Sequence, residues 1–547
     1  MRVFLTVPFV FFTLINQLYS QNVKALDSSI TIQEIISIEK NAVRLVYNTL
    51  NNRFLYSTVN GNIYEVELVS RTQKLLFDSK DHGITYMQGM AIRDSQLVVC
   101  GNINAFQPLT TGRVSLAKFE GNNSWEWKVL AETEPYKSAD YFDHLFSGIV
   151  ITLNGDSVIW CSGARGDHGE VQDYYGTYPN LRGLPITDAL LSVAVTEDSL
   201  ILKDDSTWLA QNGVLYAKGA RNFFDFEYSP KGNLYALENS GDRDDPDEMN
   251  RIFKGAHYGY PWRMGGNSNP QQYLPFLPAK DKLISPFTRA MKEGFFKADS
   301  SFPKPQAGIT FSEPVKNYGP HANYYRDSLS GNVQQASSGN YITTFTSHRS
   351  PLGLTFDRNL ELNDTRFKGK GFMLSWTEPS SMNGIIINGT DTSIGVFSGF
   401  SEDLILIEPF QSTYDEIKCT RIVEGFNHPI DLVCTSRGLF VIESNQAAPK
   451  MYRIHFDNLN SISENSIVEL NCYPNPSHGI LNFSFNNYAN IEGYSVVVYN
   501  MAGVEVAKQK VDAHLSIDLK NQPKGTYVIV LFNKGLELDR KKIILEK

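Results

Sequence analysis

Residues 231–238 read Lys-Gly-Asn-Leu-Tyr-Ala-Leu-Glu, a Gly232-Asn233 turn that runs straight into an apolar, ring-bearing segment. The unit returns at Gly61-Asn-Ile-Tyr64, Gly155-Asp-Ser-Val-Ile-Trp160, Gly213-Val-Leu-Tyr216, Gly339-Asn-Tyr-Ile342 and Gly438-Leu-Phe-Val441, with a weaker copy at Asp94-Ser-Gln-Leu-Val-Val99. Glycine and asparagine take the tight turn, and the aromatic and β-branched residues behind them suit a buried strand. Short strands recurring between turns predict an all-β repeat architecture. A β-propeller answers this, because each blade buries its faces against the next and needs no long helix. A single β-sandwich would use far fewer strands. The reading is a propeller over residues 30–456.

The bulk numbers agree with a large globular β protein. Of 547 residues, 42% are hydrophobic and 20% charged, with 27 Tyr, 33 Phe and 40 Gly, and a chain of this length divides into more than one folded unit. The net charge of −9 argues against nucleic acid, which requires concentrated Lys and Arg. Met1-Arg2, the apolar run Val3 to Ile15 and the small residue Ser20 describe a secretory signal peptide over residues 1–20. No later run is long and apolar enough for a membrane span, so the mature chain is expected to carry no transmembrane segment. Five cysteines without a CxxC or Cys/His spacing give no support to zinc or thiol-redox chemistry. Cys419 and Cys434 could pair after export or stay as buried strand thiols.

The acidic loop after Leu237 is the strongest chemical signal. Glu238, Asp242, Asp244, Asp245, Asp247 and Glu248 crowd around Gly241 and Pro246. So many like charges repel unless a cation sits among them, and Ca²⁺ is the hard ion for such oxygens. The plain alternative is a solvated acidic turn. Beyond Pro261 a long segment rich in Pro, Phe and polar residues reaches to Gly339. It either walls the site or decorates the surface.

The loop continues as Asp247-Glu-Met-Asn-Arg-Ile252 and Lys254-Gly-Ala-His-Tyr-Gly-Tyr-Pro261. This resembles the signature of the soluble quinoprotein glucose/sorbosone dehydrogenases. The resemblance implies six blades, a pyrroloquinoline quinone (PQQ) cofactor and Ca²⁺ beside it. It places Asp247, Glu248 and Tyr258 at the metal, and Gly241 facing the quinone. Gly219-Ala-Arg-Asn222 resembles the family's G-x-R-N, which puts Arg221 and Asn222 on the quinone, whose three carboxylates suit a guanidinium fork. Asp143-His144-Leu-Phe-Ser-Gly148 resembles the segment that carries the base, so His144 is the candidate to take the hydroxyl proton during hydride transfer. Two positions depart from the pattern: Gly148 stands where the family has Arg, and Gly163-Ala164 where it has a Gly-Asp that orients the histidine. The implied function is a secreted PQQ-dependent dehydrogenase of a small aldose or polyol. The alternative is a propeller that has lost the chemistry and binds glycans or surface partners.

Residues 457–470 read as a linker, and a second unit follows over 471–547. Tyr473-Pro-Asn-Pro, the Asn500-x-x-Gly503 turn, Gln522-Pro-Lys-Gly-Thr-Tyr527 and the lysine-rich end resemble the C-terminal sorting domain of the type IX secretion system of Bacteroidetes. The resemblance implies a small immunoglobulin-like β-sandwich, the type IX machinery as partner, and delivery through the periplasm to the cell surface or beyond.

Overall fold

A computed structural model describes residues 23–456, except 69, 122–123, 140, 338–339, 378–385, 388–389, 392–400, 412–413 and 446, and residues 470–546, except 486–492, 502, 512–515 and 534–535. The signal-peptide reading of 1–20, nearly all of the linker and Gly339 lie outside the described residues.

Among the described residues, helix is confined to short turns such as Ser79–His82 and Ser206–Gln211, and almost all else that is regular is strand. Six strands form an inner ring: Ala42–Asn48, Tyr86–Arg93, Phe146–Ile151, Phe223–Tyr228, Pro351–Phe356 and Pro429–Thr435. Each packs beside the next and the last packs on the first, so six sheets radiate from one axis as propeller blades. The ring is closed by Ile30–Ser37, which pairs antiparallel with Lys450–Phe456 as the outer strand of the final blade. The strands are mostly antiparallel, with a parallel pair where Leu200–Leu202 lies on Ser124–Thr133. Between blades lie apolar cores, such as Val98, Phe146, Trp160 and Leu191.

The axis is tight. A Cβ at Gly148 would stand 2.5 Å from the Phe224 carbonyl oxygen, and one at Gly89 would stand 2.5 Å from that of Ser147. This explains the departure at position 148: no side chain fits there. A guanidinium reaches the axis from the first blade instead. Arg44, which is 1% exposed, donates from Nε to Gln88 O at 2.7 Å and from Nη2 to Phe224 O. Its Nη1 stands 3.8 Å from Asp225 Oδ1. Asp225 accepts from Leu354 N, and Asp431 accepts from Leu45 N, each at 2.7 Å. Burial lifts the Asp225 carboxyl to about 6 against the pull of Arg44. These three side chains cross-link inner strands of different blades.

Because inner strands all run the same way, the loops that enter them share one face. Asn41, Leu145, Ser350 and His428, each directly before an inner strand, hold φ of 59°, 59°, 50° and 53°. The left-handed region costs a residue with a side chain about 1–2 kcal/mol. Carboxylates accept the amide at three of these entries: Ser350 N donates to Asp247, His428 N to Glu402 and, at 3.4 Å, Leu145 N to Asp143.

The tail forms two sheets around one core. Leu470–Tyr473, Ile480–Phe485 and Ser516–Asp518 make one, and Tyr494–Asn500, Glu505–Lys510, Gly525–Asn533 and Leu536–Leu545 the other. Leu481, Phe483, Val496, Ile529 and Ile543 pack between them. All five cysteines are free thiols, so Cys419 and Cys434 do not pair.

Candidate functional site

His144, Asp167, Arg221, Asn222, Gly241 and Asp247 all sit in loops at the entry face, as the strand directions require. Their contacts decide what each can do.

Each of the six carboxylates of the acidic loop takes hydrogen bonds from within the protein, and one oxygen, Glu238 Oε2, is buried without a partner. Glu238 Oε1 accepts the backbone amides of Arg221 and Asn222. Asp242 accepts Ala290 N at 2.6 Å. Asp244 takes Arg326 Nε at 2.7 Å and meets His348 Nε2 at 2.8 Å. Asp245 accepts Arg243 Nη1 and Asn267 Nδ2. Asp247 Oδ1 accepts Ser240 N and Oγ, and its Oδ2 accepts the amides of Arg349 and Ser350. Glu248 accepts Gly265 N at 2.5 Å and Asn250 Nδ2 at 2.7 Å. Arg243, Arg326 and His348 supply the positive charge. Glu238 and Glu248 face each other across paired strands. Burial, with repulsion from Asp247, pushes Glu238 to about 7, and burial, with repulsion from Glu238, pushes Glu248 well above its ordinary range.

The side chains expected at calcium have protein partners. Asp247 and Glu248 spend both oxygens on protein donors. Tyr258 is core: its hydroxyl accepts from Phe253 N and donates to Arg251 O, and its ring packs on Phe223. Among the described residues, no three His, Cys, Asp or Glu side chains gather as a metal-holding group. This donor set does not fit Ca²⁺ through the side chains named for it.

Arg221 is likewise committed. It is 3% exposed; Nε donates to Asp167 O, Nη2 to Asp167 Oδ1, both at 2.8 Å, and Nη1 to Asn239 O at 3.0 Å. Asp167 is the hub that the sequence reading passed over. It also accepts His168 Nδ1 and Asp242 N. Burial alone would raise its carboxyl, but His168 and Arg221 hold it well below the usual range. Gly241 serves this hub, since a Cβ there would stand 2.6 Å from Asp167 Oδ1. The only signal in the sequence was an acidic, glycine-bounded run, Gly163-Ala-Arg-Gly-Asp-His-Gly-Glu170. Asn222 donates its side-chain amide to Asn239 Oδ1 at 2.9 Å.

The long segment after Pro261 walls this region. Asn269 Nδ2 donates to His168 O, and Met264, Asn269 and Phe296 line a cavity of about 20 Å³ with Arg221 and Gly241. That is the room of one water. A tricyclic tricarboxylate does not fit these residues: Arg221, Arg243, Arg326 and Arg349 already meet Asp167, Asp245, Asp244 and Asp403.

His144 is oriented by a backbone carbonyl. Its Nδ1 lies 2.9 Å from Ala164 O. A carbonyl only accepts, so Nδ1 carries the proton and Nε2 the lone pair. The backbone of Ala164 thus fixes the tautomer of the ring. Gln88 Nε2 donates to His144 O at 3.0 Å. Burial first, then the Arg221 charge, lowers the imidazole to about 3, so the ring is neutral at ordinary pH.

No curated protein matches the sequence. Solved structures similar to the propeller region include the soluble aldose sugar dehydrogenase of Escherichia coli in the apo form (11% identity, 78% of this chain and 99% of that one, TM-score 0.45). A PQQ-bound aldose sugar dehydrogenase from Streptomyces coelicolor gives 13%, 79%, 98% and 0.43. The PQQ domain of a Coprinopsis cinerea pyranose dehydrogenase gives 10%, 79%, 97% and 0.46. The tail is the part with a family match: residues 471–546 fit the family model described as a secretion system C-terminal sorting domain.

Proposed function

We propose that this chain is an exported propeller whose entry face binds a neutral, polyhydroxylated ligand of the sugar class. The observation that carries the reading is the charge balance of that face. Arg221, Arg243, Arg326 and Arg349 are each matched to a carboxylate inside the protein, while His144 offers a neutral acceptor nitrogen and Asn222 and Asn239 offer amides. Such groups suit hydroxyls, not a trianion. A ring lowered to about 3 is a weak general base, since catalytic efficiency peaks when the pKa lies near the operating pH.

The second reading is the quinone-dependent sugar dehydrogenase, favoured by the His144 tautomer, which leaves Nε2 free to take a hydroxyl proton. Calorimetric titration with aldoses and polyols, and dye reduction with added PQQ and Ca²⁺, separate the two. We expect sugar binding that weakens about fivefold in His144→Ala, the worth of one neutral hydrogen bond, and no PQQ-dependent turnover. Tight PQQ binding with sugar-dependent dye reduction that His144→Ala abolishes would establish the second reading and overturn the first.

Export rests on the signal-like start and the sorting tail. Among the described residues, no helix is long and apolar enough to cross a membrane. Removing residues 470–547 is expected to hold the protein in the periplasm; unchanged export would refute the role given to the tail.

A further inference from the structure

We propose that a track of aromatic rings beside His144 carries an oligosaccharide chain away from that site. This rests on the sugar-binding reading and extends it from a single sugar to a polymer. Five of the rings form one chain of contacts on the entry face, and a hydrogen bond ties the sixth residue, Phe106, to it. Phe142, two residues before His144, meets Phe295 at 6.3 Å between centroids, and Phe295 meets Tyr141 at 5.4 Å. Tyr141 meets Tyr175 at 6.3 Å and Tyr175 meets Tyr174 at 5.6 Å. The Tyr174 hydroxyl then donates to the Phe106 carbonyl at 2.9 Å.

Two features separate this track from ordinary packing. The far end is open to solvent, with Tyr175 75% and Phe106 47% exposed. Four of the six residues also stand in the left-handed region, with φ of 61° at Phe106, 58° at Phe142, 50° at Tyr174 and 53° at Tyr175. Bulky side chains rarely adopt this conformation, and backbone held there against its preference gathers at working surfaces. Glycine or asparagine would make the same turns with less strain. What the aromatic residues add is a displayed ring.

The composition points to sugar. Three of the six rings are tyrosines, which present an apolar face for the C–H side of a pyranose and a hydroxyl for its rim. The strongest cation on the track lies on a ring: the Arg289 guanidinium is 4.2 Å from the centre of Tyr141. The path ends at Phe142, two residues from His144, whose neutral nitrogen is to accept a hydroxyl at the chain end.

The test is calorimetric titration of the full chain with glucose and with α- and β-linked gluco-oligosaccharides up to the hexamer, for the parent protein, Tyr175→Ala, Phe106→Ala and Tyr175→Gly. We expect affinity to rise with chain length in the parent. Each ring removed should reduce hexamer affinity about three- to tenfold and leave glucose binding unchanged. Tyr175→Gly relieves the backbone, so it should melt no lower than the parent while losing the same affinity. A ring with a merely structural role would lower the melting temperature and leave the length dependence intact. If glucose binds and affinity does not rise with length, the track is refuted and the His144 site stands. If no sugar binds, both fall.

Discussion

Arg221→Ala is expected to destabilise the propeller by about 3–5 kcal/mol, the cost of leaving one partner of a buried ion pair alone. Asp167 would lose the Arg221 guanidinium that stands 2.8 Å away and keep only His168 and Asp242 N. The carbonyls of Asp167 and Asn239 would lose donors as well. Urea denaturation of the parent, of Arg221→Ala, of Asp167→Asn and of the double variant measures the coupling. The double variant should be less damaged than the sum of the singles, by about 0.5–3 kcal/mol. If Arg221 existed to clamp a cofactor, its loss would leave the stability of the protein alone unchanged.

Asp247→Asn is expected to cost about 2–4 kcal/mol although it preserves shape, because leaving buried donors without an acceptor costs about 1–3 kcal/mol each. Asp247 receives Ser240 N and Oγ on one oxygen and the amides of Arg349 and Ser350 on the other. An asparagine turns an NH₂ toward one of these sets, so donor meets donor. Ser350 sits at φ 50°, and the carboxylate is what holds that turn at the entry to its blade. Thermal and denaturant unfolding should show the loss equally with and without a chelator. A loss confined to chelator-free buffer would mean that Asp247 works through a metal.

The repeat was legible because its parts are local. Gly155 and Gly232 take φ of 75° and 76° between the first two strands of their blades, and the apolar runs behind them are fully buried strands. The closure of the ring was not legible: Ile30–Ser37 finds Lys450–Phe456 across the whole propeller, and nothing local in either strand names its partner. The site shows the same division. His144 was named from the sequence, and its supporting carbonyl was missed because a backbone oxygen leaves no mark in residue identity. The departure at position 148 looked like a lost clamp, yet it reflects a steric limit at the axis. The acidic loop misled because sequence displays its charges and hides their partners. Arg326 and His348 lie some hundred positions from Asp244 in the chain, and the amides of Arg349 and Ser350 are invisible in any composition.

We hold that arginine, histidine and backbone amides balance this loop without a cation. Elemental analysis of the purified protein, followed by thermal unfolding before and after exhaustive chelation, tests it most directly. No stoichiometric Ca²⁺ is expected, and the melting temperature should be the same in both samples. One tightly held Ca²⁺ per chain, with a melting temperature that falls on chelation and returns when Ca²⁺ is added back, would contradict it.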